Sequence, residues 1–359
     1  MAEGVAAGHG DAPAVGQPGG PDRELSEADF ARWYRGRELF EHDVEARNGL
    51  GPLFDADSCR VCHCQPFLGG AGRIDMNMVF FGQLAEGPEF TVFPEGLEAP
   101  KLSLVGIARR EIPPAANIIE QRKPASLLGL GLVDRIPADV LLANADPDDA
   151  DLDGVSGRPN MVDGAVGRFG RKAAFATLRD MVAYMADVAI GLTLPGDVSV
   201  YAAADDDDAV ADPEWSAEDF DDIVFFVSHI ATPAPAAGGD AATINRGREV
   251  FDEIGCGVCH VPSLDSPDGP VNAYSDFLLH EITLAALGNT VQGISTPTEF
   301  RTAPLWGLRD TGPYLHNGAA DTIDAAILSH FGEGQPAQDR YFFLPPDDRD
   351  ALLAFLESL

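Results

Sequence analysis

Lysine is almost missing from this chain. Only Lys101, Lys123 and Lys172 occur in 359 residues, and Lys plus Arg total 24 against 58 Asp plus Glu. The formal net charge is −34. A surface this acidic repels phosphate backbones, which excludes general nucleic-acid binding. It also keeps a chain soluble at high salt, so a halophilic or marine source and an acidic extracellular protein both fit. No run of 18 apolar residues exists, which excludes a transmembrane helix. Residues 1–22, MAEGVAAGHGDAPAVGQPGGPD, hold no apolar core of a signal peptide. They are rich in Gly, Ala and Pro and read as a disordered N-terminus. Cysteine is scarce as well, and five is a poor number for a disulfide framework. What remains is ordinary globular material, 45% hydrophobic with a mean hydropathy of −0.04. That is enough apolar residue for a real core, and the length suits about two domains.

Four of the five cysteines fall into two copies of one pattern. The first is Cys59-Arg-Val-Cys62-His63 and the second is Cys256-Gly-Val-Cys259-His260. C-x-x-C-H is the attachment motif of c-type haem. Two thiols one helical turn apart add to the two vinyl groups of one porphyrin, and the adjacent His ligates the iron. The competing readings are a pair of redox dithiols or a split four-thiolate zinc site. The zinc site would leave both histidines without a role. Cys64 is left over, a free thiol beside the first motif with no assigned function. Haem attachment of this kind takes place outside the cytoplasm, so a periplasmic or extracytoplasmic location is expected, with any signal peptide removed or replaced.

The chain also repeats itself. Arg35-Gly-Arg-Glu-Leu-Phe40 recurs as Arg246-Gly-Arg-Glu-Val-Phe251, each on a helical pattern upstream of a C-x-x-C-H. Eighteen residues separate Phe40 from Cys59 and four separate Phe251 from Cys256, so the first copy carries a turn-rich insertion, NGLGPLFDAD. Amphipathic helices are expected over 218–230, before the linker ATPAPAAGGD, and over 349–359. The expected organisation is therefore mainly α: two fused cytochrome-c-like domains with long loops. They span 23–232 and 240–359, joined by a linker at 233–239. Extended runs within 73–107 predict a small β-hairpin in the first domain. The acidic run Asp205 to Asp208 reads as a solvated loop.

The two fused units, each beginning with RGRE-[LV]-F and a C-x-x-C-H, resemble the bacterial di-haem cytochrome c peroxidase and MauG superfamily. The closer resemblance is to its di-haem oxidoreductase branch. It is carried by GPLFDADSCRVCH (51–63), LLGLGLVDRIP (127–137), DPDDADLDGVSGRPN (146–160), GRFGRKA (167–173), APLWGL (303–308) and GPYLHNG (312–318). The resemblance implies a peroxidase-like oxidoreductase with two haems, fed by a small electron-donor protein or acting on a protein substrate. Hydrogen peroxide is the oxidant it implies. Di-haem oxygenases of organic substrates belong to the same superfamily, and a purely electron-transferring cytochrome is a further alternative.

Axial ligands separate these chemistries, because an iron with two protein ligands carries electrons and one with an open face activates an oxidant. His63 and His260 are the proximal candidates. In the peroxidases a Pro-Tyr-x-His motif is followed, fourteen residues after its His, by the distal Met of the electron-transfer haem. From His316 in Pro313-Tyr-Leu-His316, that count lands on His330. The resemblance thus implies a bis-histidine second haem, His260 with His330, and a lower potential than Met ligation gives. His316 is expected to make a structural hydrogen bond in its turn. His280 is expected near the domain interface, as a contact to a haem carboxylate or an ordinary buried histidine. No histidine stands between His63 and His229, so the first haem is expected open, as the reactive one, unless Met76 or Met78 closes it. Both methionines also fit a core role.

A peroxide site needs a group that moves a proton between the two oxygens. Laid on the family's segment, Asp134-Arg135 brings Asp153 to the place of the distal acid. The same loop reads Asp149-x-Asp151-x-Asp153-Gly154, the start of a calcium loop with Asn160 in place of the final Glu. If Asp153 binds calcium, Glu111 or Glu120 would serve the haem. The tryptophan that the peroxidases place between their haems corresponds to Val133 here, and Trp306 is the substitute that the second half offers.

Overall fold

The structure is a computed structural model. It describes residues 12–85, 89–94, 96–196, 198–199, 201–203, 205–206, 208, 210–236, 238–284 and 287–359. Among these residues the protein is mainly helical with small sheets. The helices are α1 (Glu27–Glu41), α2 (Cys59–Cys62), α3 (Leu130–Asp134), α4 (Ala138–Leu142), α5 (Leu178–Met185), α6 (Ala217–Ser228), α7 (Ala241–Glu253), α8 (Ile323–Ile327), α9 (Gln335–Phe342) and α10 (Pro346–Ser358).

The duplicated RGRE motif has a physical reason in two helix crossings. On α1, Gly36 faces α6, and a Cβ on it would lie 2.0 Å from the Asp222 carbonyl oxygen. On α7, Gly247 faces α10, and its Cβ would lie 2.0 Å from the Ala351 carbonyl oxygen. Only glycine lets the two backbones approach this closely. The preceding arginine of each motif ties the same crossing. Arg35 Nε donates to Asp222 (2.8 Å), and Arg246 Nε donates to Asp348 (2.8 Å). The closing phenylalanine packs across it: Phe40 on Phe226 at 5.2 Å and Phe251 on Phe355 at 5.5 Å between ring centroids. Two helix pairs are thus built on one plan. Ser216 starts α6 with a capping box to Asp219, and Asp240 caps α7 through the Thr243 amide.

Each pair lies in its own apolar cluster. The larger gathers Trp33, Phe40, Phe169, Leu178, Phe220 and Phe226. The smaller gathers Val250, Phe251, Tyr341, Leu352 and Phe355. The larger cluster also takes in Leu264, Val271, Ala273, Phe277 and Trp306 from beyond residue 240. The apolar packing therefore does not break cleanly at the linker.

The extended runs of 73–107 form the expected hairpin and more. Within strands β1 (Leu53–Phe54), β2 (Met78–Leu84), β3 (Phe90–Thr91), β4 (Leu102–Ser103) and β5 (Ile118–Arg122), β2 lies antiparallel between β3 and β5. Along β5 burial alternates, which turns Ile118, Glu120 and Arg122 inward. Further short antiparallel pairs are β6 (Met161–Val162) with β7 (Ala165–Val166), and β8 (Leu279–Glu281) with β9 (Glu299–Arg301).

Of the N-terminal segment read as disordered, residues 1–11 lie outside the described residues. Residues 12–22 run against the end of α6: the Asp22 amide donates to the His229 carbonyl (2.9 Å) and the Ala231 amide donates to the Gly20 carbonyl (2.9 Å). Within the linker, the Ala236 amide donates to the Ser358 carbonyl at the end of α10 (3.1 Å), and residue 237 lies outside the described set. So does residue 207 of the acidic run.

Candidate functional site

The first C-x-x-C-H is one turn of helix, α2, pinned to the end of α1. Arg60 donates to both carboxylate oxygens of Asp43 at 2.6 Å and to the Glu41 carbonyl at 2.9 Å. The Ser58 hydroxyl donates to the same Asp43 (2.9 Å). This places Cys59 and Cys62 on one side of the turn and starts His63 at its end. His63 Nδ1 lies 3.2 Å from the Gly70 carbonyl oxygen. In the second copy Cys256–Val258 form a turn of 3-10 helix after α7, and His260 Nδ1 lies 2.8 Å from the Tyr274 carbonyl. His330 follows α8, and its Nδ1 lies 2.8 Å from the Ala326 carbonyl.

These three imidazoles share one arrangement. A carbonyl oxygen only accepts, so the Nδ1 that faces it carries the proton and Nε2 keeps its lone pair. Histidines that ligate metals are commonly held in this way. Burial pushes His63 and His260 down to about 4 and also lowers His330, so all three are neutral near pH 7. A histidine that ligates a metal must be neutral. His330 stands near enough to His260 that a proton on His330 would disfavour one on His260. Nothing comparable acts on His63, where burial and the backbone of Gly70 and Ala125 are the influences.

Burial pushes the thiols of Cys59 and Cys256 up to about 12 and that of Cys62 up to about 11, and raises Cys259. They are protonated thiols and poor redox nucleophiles. Among the described residues, the groups close enough to share an ion are carboxylates, with no cysteine in them. Cys64 is exposed.

Both C-x-x-C-H segments and His330 line a single cavity of about 650 Å³. Apolar residues from both apolar clusters form much of its wall, including Met78, Phe80, Leu127, Phe251 and Trp306. Met78 therefore reaches the cavity and is core at the same time, while Met76 is not in the lining. Trp306 is part of the wall and also packs near Gly129.

Other expected residues stand differently. His316 lines the cavity, but its ring stacks on Phe300 at 4.1 Å. Among the described residues this ring makes no hydrogen bond, so the expected bond within its turn is replaced by the stack. Burial pushes it down to about 3. His280 is buried between two carboxylates, with Nε2 2.8 Å from Asp276 and Nδ1 2.8 Å from Glu333. Burial opposes its charge, yet hydrogen bonds with Asp276, Cys259 and Glu333 push it up to about 12, which makes it an imidazolium. Asp153 is exposed, accepts from the Val155 amide (2.8 Å) and does not line the cavity. Its loop packs instead on the C-terminal half, where Ser156 donates to Glu333 (2.7 Å) and Arg158 pairs in backbone with Leu279. The carboxylates that come together in that loop are Asp146, Asp149 and Asp151, without Asp153. Glu111 is exposed. Glu120 is buried outside the lining, and although burial opposes its charge, Arg122 and Thr290 hold it down to about 2.

The residues missed from sequence are cationic. Arg122, Lys123, Arg171 and Arg301 all line the cavity. The signal was their scarcity. In a chain with three lysines, Lys123 lies in QRK (121–123) and Lys172 in GRFGRKA, both short basic runs in an acidic sequence.

Two cysteine pairs with histidine ligand candidates around one apolar cavity define a protein built to hold paired prosthetic groups. Comparison with known proteins gives the family. Residues 116–359 match the family described as "Di-haem oxidoreductase, putative peroxidase", and the chain belongs to it. The methylamine utilization protein MauG of Methylorubrum extorquens is 30% identical over 138 residues, which are 34% of this chain and 35% of that protein. The chain thus spans about a third of that relative's length. Among solved structures, a MauG-like protein associated with microbial copper homeostasis aligns at 16% identity and TM-score 0.45, over 98% of this chain and 95% of its own. Hydrazine synthase of Kuenenia stuttgartiensis aligns at 12% identity and TM-score 0.43 over 100% of both chains. Neither is close enough to fix the fold.

Proposed function

We propose that the protein is a di-haem c-type oxidoreductase of peroxidase-like activity. Its N-terminal haem would be reactive, and a bis-histidine C-terminal haem would relay electrons to it. The observation that carries this reading is the shared build of His63, His260 and His330: each half-buried, each held at Nδ1 by a backbone carbonyl, each lining the cavity that both cysteine pairs enter. The donor set fits two porphyrins. Cys59 and Cys62 would bond one and Cys256 and Cys259 the other, with His63 and His260 as proximal ligands and His330 as the second ligand beside His260. When bound, the haems supply one-electron transfer and activation of a small oxidant.

The chain's own residues do the rest. The Gly70, Tyr274 and Ala326 carbonyls fix the imidazole tautomers and orientations. The apolar wall excludes water. The asymmetry between an imidazole with His330 near it and one without such a neighbour supports a first haem that would be left open. Hydrogen peroxide is the proposed oxidant, with electrons from a small donor protein or from a protein substrate, in the periplasm. The division into cytochrome-like units at 23–232 and 240–359 is part of the same reading. It is supported by the two matched helix pairs. Calcium is proposed at Asp146, Asp149 and Asp151. Met78 in the cavity wall is the observation that favours the alternative, a purely electron-transferring cytochrome closed by a thioether. Stopped-flow mixing with peroxide separates the two. Spectral change within seconds, in the oxidised or the half-reduced protein, is expected. None in either form would establish the alternative.

A further inference from the structure

Cations are rare in this chain, and three that line the cavity stand together without anionic partners. Lys123, Arg171 and Arg301 spend their donors on backbone carbonyls. Lys123 Nζ donates to Thr311 (2.7 Å), Arg171 Nη2 to Lys123 (2.9 Å), and Arg301 Nε and Nη1 to Gly170 and Thr302 (2.9 Å each). Among the described residues none of the three has a carboxylate within ion-pair distance. The backbone holds them as a set. The Arg301 amide donates to the Arg171 carbonyl (2.9 Å), and the Lys123 amide donates to the His316 carbonyl (2.8 Å). Among the described residues, the buried Arg171 Nε has no hydrogen-bond partner.

Such a cluster is unfavourable as it stands. Burial pushes Lys123 down to about 8, Arg171 to about 10 and Arg301 to about 9, with Arg171 repelling Lys123 and Arg301, and Arg122 repelling Arg171. Buried charges in native proteins are paired, and removing water from like charges without a counter-ion is strongly destabilising. With 58 acids available and Asp or Glu common on every surface, the absence of one here leaves the place for an anion that arrives with a ligand. Guanidinium and ammonium groups on a largely apolar wall select a carboxylate attached to an apolar body.

We propose that Lys123, Arg171 and Arg301 form the cradle for the carboxylate side arms of the porphyrins, between the two attachment segments. This rests on the di-haem reading above. Lys123 is in the strand-to-helix segment beside the first cysteine pair: the neighbouring Pro124 carbonyl accepts from Gly72. Arg301 packs over Phe277, next to Asp276, whose amide donates to the Cys259 carbonyl. The cluster therefore reaches from one cysteine pair to the other. Its positive charge near the irons favours their reduced forms, so these are positioning residues that also set potential.

The test uses the full, haem-loaded chain carrying Arg171→Gln, Arg301→Gln or Lys123→Gln. Haem content is read by pyridine haemochrome and reduction potentials by spectroelectrochemical titration. Two haems should remain, and at least one reduction equilibrium should fall about tenfold in each variant, which is 59 mV for a one-electron couple. Arg171→Lys should recover most of that shift. Resonance Raman bending modes of the porphyrin carboxylates should move in the same variants, a readout that a merely structural role leaves alone. If an arginine variant does not fold, Lys123→Met carries the same expectation. Two haems with unmoved potentials and unmoved Raman bands would overturn the cradle alone. A wild-type chain matured without two haems would overturn the di-haem reading and the cradle with it.

Discussion

Replacing Gly247 by alanine asks whether the α7–α10 crossing is as tight as the structure has it. On a solvent-exposed helix, Gly to Ala stabilises by about 1 kcal/mol through backbone entropy. At this crossing the new methyl would stand 2.0 Å from the Ala351 carbonyl oxygen, 2.6 Å from its carbon and 2.6 Å from Phe355 Cβ. Ordinary contact is well beyond 3 Å, so the helices must part by about 1 Å or more. Overpacking of this kind costs about 1–3 kcal/mol. Parting also loosens the Phe251–Phe355 contact, so the loss outweighs the propensity gain. The expected outcome is a lower urea midpoint for the haem-loaded protein, read by circular dichroism at 222 nm and by the Soret band. Gly36→Ala, 2.0 Å from the Asp222 carbonyl oxygen, should behave alike at the other pair. A midpoint that rises in both variants would show that the crossings have room, and close helix approach would no longer explain the repeated motif.

Changing His330 to Ala should turn the low-spin signal of the second haem into another spin or ligand state while the first haem keeps its spectrum; an unchanged spectrum would remove His330 as a ligand. Lys172 is fully buried, with its ammonium over the Phe300 ring (3.8 Å), and burial pushes it down to about 7. Between pH 7 and its ordinary 10.5 the unfolded chain then binds the extra proton. Stability relative to Lys172→Met should therefore rise with pH across that window, by at most about 1.4 kcal/mol per unit; a flat difference in denaturation midpoints would contradict this. Chelation by EGTA should lower the melting temperature if Asp146, Asp149 and Asp151 hold calcium, and Asp149→Asn should abolish that sensitivity; equal melting with and without EGTA would leave those acids as solvated groups. The intact mass of protein matured in a cytochrome-producing host should exceed the chain mass by two haems, and Cys256→Ala with Cys259→Ala should retain one.

The features legible in the sequence were those set by short local patterns. The two C-x-x-C-H turns, the helices that carry RGRE and the hairpin of β2 and β3 depend on neighbours along the chain, and they stand where the spacing put them. His330 was reached through a resemblance, and the structure places it on the wall of the cavity that His260 also lines. Asp153 was misplaced because a loop's partner is not written in its own residues. Loop 146–160 packs on Glu333 and Leu279, from the other half of the chain, and this turns its acids outward. The cradle of Lys123, Arg171 and Arg301 was missed for the same reason. Its members come from three separate segments, and only the scarcity of cations marked them.

Electron paramagnetic resonance of the fully oxidised protein tests the central claim most directly. One haem closed by His260 and His330 and one left open at His63 should give a low-spin signal together with a high-spin one. Two low-spin signals and no high-spin component would contradict the account, because an iron with both faces filled by the protein has no place for an oxidant.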